Sequence, residues 1–529
     1  MALLGIDIGT SSAKAVIASE RGEILAEASE EYGVSMPHPG WTEQDPETWW
    51  HGAVGASARA ISVAGLDPRV IRAIGLSGQM HGSVLLDRKT MATRGEGSTG
   101  SGSLRPAILW NDQRTAAQCV EIERLAGGRR ELVELVGNAA LPGFTLPKLL
   151  WIREHEPEVW ARVAMVLLPK DFVGFRLTGV CATDVGDASG TLLLNPETRA
   201  WSDRALGLFG IDRSILPPAF ESGAIVGEVT HWAAAQLGVA PGTPVVAGSG
   251  DNQAGAIGAG IVRPGQVLAT LGTSGVIYAH ADRARRDLTA SDGSDGTPPG
   301  RLHTMCAADG DATRKGAWSL TGCTLAAAGA LTWARDVLAP GVGFEELLRE
   351  AEGVARGSGG LLFLPSITGE RCPHPDPLAR GAWVGLTARH TRAHLIRAVV
   401  EGVTYTMAEI LDIVRSAGVE VESVRLAGGG ARSRFWRQLQ ADCYGVTVAT
   451  TNTEQGPAFG AALLAGVGTG VWRTVPEATD ACVHETERID PDARGVQKNS
   501  PAREAFAGLH AGIRDRFPML ASIDRDSAP

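Results

Sequence analysis

Two short segments of this 529-residue chain repeat one another about half its length apart. Residues 4–12 read Leu4-Gly5-Ile6-Asp7-Ile8-Gly9-Thr10-Ser11-Ser12, and residues 268–275 read Leu268-Ala269-Thr270-Leu271-Gly272-Thr273-Ser274-Gly275. In each, an apolar strand runs into Gly-Thr-Ser and another apolar strand leaves it. That is the pattern of a tight hairpin whose turn presents backbone N–H groups and hydroxyls together, a phosphate grip. Thr10, Ser11, Gly272 and Thr273 are therefore candidate phosphate contacts. A repeat on this scale predicts two similarly built domains facing each other across a cleft, with a phosphate chain between them.

Length and composition bound the reading. The chain is too long for one core, and 44% hydrophobic residues describe a globular protein of two or more domains. Asp7 interrupts the first apolar run, no basic stretch precedes it, and no segment approaches ~18 uninterrupted apolar residues, so neither a signal peptide nor a membrane span is expected. A cytoplasmic protein follows from that reading. The seven cysteines are scattered and odd in number, with no Cys-x-x-Cys pair, which argues for reduced thiols and against a zinc site. A formal charge of −10 offers no footprint for nucleic acid, but phosphates can still be held locally by backbone dipoles and Mg²⁺. The expected partner is a small molecule.

Along the chain, residues 3–32 read as a three-stranded meander, 46–63 as an amphipathic helix and 71–76 as a strand entering Ser77-Gly78-Gln79-Met80-His81-Gly82. A strand at 244–247 and a small-residue helix from Asp251 to Gly260 close the first half. In the second half, helices are expected at 322–337, 392–414 and 435–444 and after Pro457, with strands at 424–427 and 446–449. The fold class is α/β, divided into an N-terminal domain at 1–262, a C-terminal domain at 263–490 and a polar tail at 491–529 carrying one weak helical patch. Residues 94–103 and 283–300, rich in Gly, Ser and Asp, read as loops.

Several residues carry chemistry. Asp7 closes the first strand just before the phosphate turn; a carboxylate there would repel phosphate directly, so its sensible role is to hold Mg²⁺ through water, the ordinary alternative being a turn-forming aspartate. Asp251 follows Gly-Ser-Gly at a helix start. Its ordinary role is an N-cap, but between two domains such a carboxylate can accept a proton from a hydroxyl attacking phosphorus. Gln79, Met80 and His81 offer an amide, a thioether and an imidazole in a row, suited to a small hydroxylated carbon skeleton, although a lone loop histidine is more often merely solvated. Trp110-Asn111-Asp112-Gln113-Arg114 adds a second polar cluster after a strand. Gly428, Gly429 and Gly430 lie between a strand and a helix, where backbone can approach a ligand closely. There is no Gly-Lys dipeptide, so a Walker P-loop is excluded, and no acidic residue follows Asp251 before Asp282, which disfavours a dinucleotide fold.

Taken together, these motifs, in this order, resemble the FGGY carbohydrate kinases over about residues 3–470. The Asp-Ile-Gly-Thr turn is shared with the wider actin-like superfamily, whereas Gln79-Met80-His81-Gly82 is similar to the xylulokinase-like branch and not to the glycerol kinase-like one. The resemblance implies two ribonuclease H-like, actin-like domains with ATP, Mg²⁺ and a sugar in the inter-domain cleft. It implies Asp251 as catalytic base, Met80, His81 and Asn252 as sugar contacts, with Gln79 and Asp112 in the same clusters. Asp7 and Thr10 fall at the phosphate and magnesium site, and Thr273 with the glycine run at the nucleotide. The acceptor so implied is D-xylulose, phosphorylated at its terminal hydroxyl, and a homodimer is compatible with the reading. A sibling kinase for ribulose, gluconate or glycerol, an actin-like ATPase and an inactive sugar sensor remain the alternatives.

Overall fold

Residues 2–8, apolar but for Asp7, form the central strand Ala2–Ile8, buried along almost its whole length. The computed structural model describes residues 1–92, 102–288, 298–310, 317–453 and 456–526. Strand Ala2–Ile8 pairs antiparallel with Ser12–Ser19, placing Ile8 opposite Ala13, and Ser12–Ser19 pairs with Ile24–Glu31, which completes the expected meander. On its other edge Ala2–Ile8 runs parallel to Ile71–Gly78, followed by Pro244–Val246 and Ile225–Glu228. A parallel pair needs a long crossover, here supplied by helix Pro46–Ala64. Asp45 caps that helix by accepting from the Glu47 N–H, and Trp49, Ala53, Ala56 and Ala60 turn inward at helical spacing.

The second half repeats this order. Gln266–Leu271 is antiparallel to Gly275–Ala281, which pairs with Trp318–Thr324; the other edge adds Ser423–Ala427 and Thr447–Thr451 in parallel, then Glu485–Ile489 antiparallel. His303–Cys306 extends the meander edge, and each sheet has seven strands. Helix Arg392–Ser416, buried over most of its length, packs on this sheet. Among the described residues no helix is long and apolar enough to cross a membrane.

One helix departs from the division by sequence. Gly456–Gly468, from the second half, lies against the N-terminal sheet at backbone contact distance. A Cβ on Gly5 would fall 1.9 Å from the Ala458 carbonyl oxygen, and one on Gly75 would fall 1.9 Å from that of Ala461. Ala458, Ala462 and Leu463 of this helix share one apolar cluster with Leu3, Val16 and Ala73.

Two expectations are corrected. The helix read at 322–337 begins only at Ala328, because Gly322, Cys323 and Thr324 complete the strand pairing with Gly275–Ala281. Small residues there carry no periodicity that would separate strand from helix. The segment after 490, read as a polar tail, is helical at Ala493–Ala507, Leu509–Ile513 and Phe517–Asp526. It buries Phe506, Leu509 and Phe517 in the second domain's core, and Arg503 donates to the Cys443 carbonyl at 3.0 Å. Its apolar residues are too sparse to advertise a buried face. Of the loops expected at 94–103 and 283–300, residues 94–101 and 289–297 lie outside the described residues.

The docking of this segment should depend on pH. His510 stacks on His374 at 4.6 Å, and burial, helped by the neighbouring His374, pulls its pKa down to about 4. Undocked, the ring returns to about 6.5, so below that value the undocked state binds more protons and docking weakens as pH falls from about 6.5 towards about 4. Hydrogen exchange across residues 493–526, corrected for intrinsic rates, should rise between about pH 7.5 and about pH 5 relative to helix Arg392–Ser416, and His510→Gln should suppress that rise. Exchange that moves in parallel in both regions would show that His510 does not govern docking.

Candidate active site

Register places three residues abreast at one end of the N-terminal sheet. Asp7 is the partner of Ser77 on the parallel strand, and Ser77 is the partner of Ser249 on the short strand Ser249–Gly250. Asp251 follows two residues beyond Ser249 and is the first residue of helix Asp251–Gly258, with Gly250 at the cap position. It is therefore not the N-cap that its sequence context suggests. Burial raises the Asp251 carboxyl to about 7, and the charge of Asp7 pushes in the same direction. Asp7 itself is raised by burial to about 6, against the pull of Ser77 and Lys14. Its Oδ1 is buried without a hydrogen-bond partner among the described residues.

The first Gly-Thr-Ser turn is braced from several sides. Gly9 N–H closes it on the Ser12 carbonyl at 2.9 Å, and the Tyr32 hydroxyl donates to the Gly9 carbonyl at 2.7 Å. Gln44 donates to the Thr10 carbonyl (2.7 Å), and the Trp110 indole donates to Thr10 Oγ1 (2.9 Å). Ser11 is exposed at its tip. Gln79, expected among the sugar contacts, is bonded into this brace. Its Nε2 donates to the Gly9 carbonyl at 3.2 Å and to Gln44 Oε1 at 3.0 Å, while its Oε1 accepts from Thr10 Oγ1 at 3.4 Å. Both N–H groups are thus committed. Asp112, also expected at the sugar, is fully buried and accepts from Arg114 Nε (2.9 Å) and the Thr42 N–H (2.6 Å). Its neighbour Asn111 keeps a buried Oδ1 with no partner among the described residues, a group the same motif offered and the sequence reading passed over.

Met80, His81 and Asn252 are brought together. Asn252 Nδ2 reaches Met80 Sδ at 3.7 Å. His81 sits at φ 70°, a left-handed conformation uncommon outside glycine, and its carbonyl accepts from Lys148 Nζ at 2.8 Å and Thr145 Oγ1 at 3.2 Å. His81 Nδ1 lies 3.2 Å from the Gly190 carbonyl, which can only accept, so Nδ1 carries the proton and Nε2 is the acceptor. Burial holds the ring well below the usual imidazole range, and Lys148, His303 and Arg371 add to the effect, so the ring is neutral. Lys148 is a buried lysine that sequence reasoning missed; its only signal is a lone cation inside the apolar run 146–152.

The second turn mirrors the first. Gly272 N–H bonds the Ser274 carbonyl at 3.0 Å, and the Ala327 N–H bonds that of Thr273 at 2.9 Å. Gly428 adopts φ 80° beside it, where a Cβ would lie 2.5 Å from the Leu271 carbonyl oxygen, and Gly430 packs on the Leu271 side chain. The glycine run and the second turn therefore form one surface. A cavity of about 1400 Å³ opens alongside, lined by Ala328, Leu331, Thr332, Gly429, Arg432 and Ser433 among others.

Residues 2–258 match the N-terminal domain of the FGGY family of carbohydrate kinases, and residues 267–469 match its C-terminal domain. The chain belongs to this family. It is 37% identical over 524 residues to the xylulose kinase of Bacillus subtilis (strain 168), covering 99% of each chain. To the glycerol kinase of Citrifermentans bemidjiense it is 31% identical over 515 residues, covering 94% of this chain and 97% of the relative. The crystal structure of xylulose kinase from Rhodospirillum rubrum superposes with a TM-score of 0.86 at 30% identity, covering 98% of this chain and 100% of that one. The α/β architecture of two ribonuclease H-like domains is thus that of FGGY kinases.

The placement of Gln79 is testable in this FGGY kinase. Gln79→Ala removes the amide's two donations, to the Gly9 carbonyl and to Gln44 Oε1, which keep their bonds from the Tyr32 hydroxyl and the Trp49 indole, so the loss is that of ordinary hydrogen bonds, about 0.5–1.5 kcal/mol each. It should raise the KM for nucleotide severalfold more than the KM for sugar in steady-state kinetics. A larger effect on the sugar would return the amide to the sugar site.

Proposed function

We propose that this carbohydrate kinase transfers the γ-phosphoryl group of ATP to the terminal hydroxyl of D-xylulose, giving D-xylulose 5-phosphate and ADP, with Asp251 as general base. The observation that carries the reading is the position of Asp251, two residues beyond the Asp7–Ser77–Ser249 row and next to Asn252, which touches Met80. A buried carboxyl raised to about 7 is poised to take a proton near neutral pH. As that proton moves to Asp251, the sugar oxygen bonds to the γ-phosphorus and the bond to the bridging oxygen of ADP breaks. In a loose transition state most of the acceleration comes from alignment and from donors around the phosphates, which the braced turn at Gly9–Thr10 and its counterpart at Gly272–Thr273 would supply. Neutral His81, with Nε2 as acceptor, and Asn252 would bind sugar hydroxyls while Met80 packs the carbon chain.

Bound with the nucleotide, Mg²⁺ would neutralise charge on the phosphates. The residue here that fits it is Asp7, whose buried Oδ1 lacks a partner. Among the described residues no group of three or more metal-ligating side chains exists, so Asp7 would hold an ion that keeps much of its own hydration.

Asp251→Ala should lower kcat by ~10²-fold or more, the scale of a lost general base, while nucleotide binding measured by calorimetry stays near wild type. A variant that keeps most of its turnover would remove Asp251 from the chemistry.

Substrate choice is the sharper test. A site that hydrogen-bonds hydroxyls leaves buried groups unpaired when one hydroxyl is missing or inverted, a mismatch that costs more than a lost apolar contact. D-xylulose should give the highest kcat/KM in a coupled ADP-release assay over ribulose, gluconate, glycerol and common hexoses, and His81→Ala should raise the KM for the sugar alone. Were glycerol to outrun D-xylulose, the substrate assignment would fall and a polyol kinase would replace it.

A further inference from the structure

Behind Asp251 lies a fully buried ionic cluster that the reaction above does not employ. Lys170 Nζ lies 2.6 Å from Asp171 Oδ1 and 2.9 Å from Asp184 Oδ1, with the three side chains between 0% and 2% exposed. Burial works against the charge on Lys170, but Asp171, Asp184 and the nearby Asp187 overcome it and hold the ammonium protonated. Buried ion pairs are weak sources of stability, because desolvating both charges offsets their attraction. What this one specifies is better sought in its connections.

Those connections run to both halves of the site. The third contact of Lys170 Nζ is the Ala247 carbonyl, at 3.3 Å. Asp184 Oδ2 accepts from Ser249 Oγ at 3.2 Å. Residues on both sides of Gly248, on the segment that ends in Gly250 and Asp251, are thereby tied to one ion pair. Asp184 Oδ2 also caps the short helix Val185–Ala188, accepting from the N–H groups of Gly186 (2.7 Å) and Asp187 (3.2 Å). That helix continues into the turn Ser189–Thr191, whose Gly190 carbonyl holds His81 Nδ1. The same carboxylate thus sets the backbone before the base and the backbone that orients the imidazole.

We propose that Asp184, held by Lys170, is the positioning residue of this active site, fixing Asp251 through Ser249 and Ala247 and fixing His81 through the turn that carries Gly190. The inference rests on Asp251 being the base and names what aims it. It needs no contact between Asp184 and substrate.

A matched pair of variants tests it. Ser249 and Ser222 are both fully buried, and each donates its hydroxyl to the same Asp184 Oδ2 at 3.2 Å, but only Ser249 lies on the segment leading to Asp251. Ser249→Ala should lower kcat about tenfold at saturating sugar and ATP, within the ~10²-fold that a small misplacement of reacting groups costs, with the KM for ATP within about twofold of wild type. Ser222→Ala should keep kcat within about twofold, and thermal denaturation should show the two variants equally stable. Equal losses of kcat in both variants, or full kcat in Ser249→Ala, would overturn the proposal. Asp251→Asn in the same assay separates the two readings. If it is inactive while Ser249→Ala is unimpaired, the tether alone fails; if it remains active, the assignment of the base fails, whatever Ser249 does.

Discussion

The backbone contact between helix Gly456–Gly468 and the N-terminal sheet is the constraint on which the rest of the structure depends. Side chains are absent from the contact at Gly5 and Gly75, where a Cβ would strike carbonyl oxygens of the helix. The same helix meets Asp251–Gly258 equally closely, since a Cβ on Gly460 would lie 1.9 Å from the Ala254 carbonyl oxygen. It therefore gauges the distance between the strand end that carries Asp7 and the helix start that carries Asp251. Contacts of this kind have no rotamers to adjust, so small errors are not absorbed by repacking. Because the helix follows strand Thr447–Thr451 of the second sheet, it also links the sheet beside the glycine run to the opposite side of the cleft.

Around that frame the charges are arranged unusually. Asp7, Asp171, Asp184, Asp187 and Asp251 are gathered near one end of the N-terminal sheet, with Lys170 between three of them. Asp187 is buried with both carboxyl oxygens unpartnered among the described residues, and burial raises its pKa well above the usual range. An excess of carboxylates is a poor place to bring phosphate unless the anionic ligand is met by N–H groups and a cation. The braced turns offer the first, and the lone oxygen of Asp7 suits the second. Burial keeps the affinity of Asp251 for a proton high, and repulsion from Asp7 adds to it.

The legibility of this arrangement varied with the range of the interactions. The repeated hairpins, the meander at 3–32 and the long helix at 392–414 could be read because their signals are local: apolar alternation, a turn tripeptide and helical spacing. Asp251, Met80, His81 and the glycine run were legible as motifs beside strands. Gln79 and Asp112 were expected at the sugar, and nothing local distinguishes an amide facing a ligand from one bonded to Gly9 and Gln44, or a carboxylate facing a ligand from one bonded to Arg114. Lys148, Lys170 and Asp184 left only the trace of a charge inside apolar surroundings, since apart from Asp171 and the N–H groups that Asp184 caps, the groups they hold, at His81, Ala247 and Ser249, lie far along the chain.

By itself, then, the amino-acid sequence determined two copies of one hairpin-led α/β unit and their Gly-Thr-Ser turns, because hydrogen-bonded turns and apolar periodicity are set by neighbours in the chain. Tertiary structure alone decided which polar residues beside those turns brace others. It also decided that a helix from the second half serves the first, that residues after 490 belong to a core, and that Asp251 begins its helix with Gly250 as the cap. Those outcomes rest on which distant backbone or side-chain group satisfies each buried donor and acceptor, and on where glycine permits close approach; both are properties of the packed chain and have no local signature.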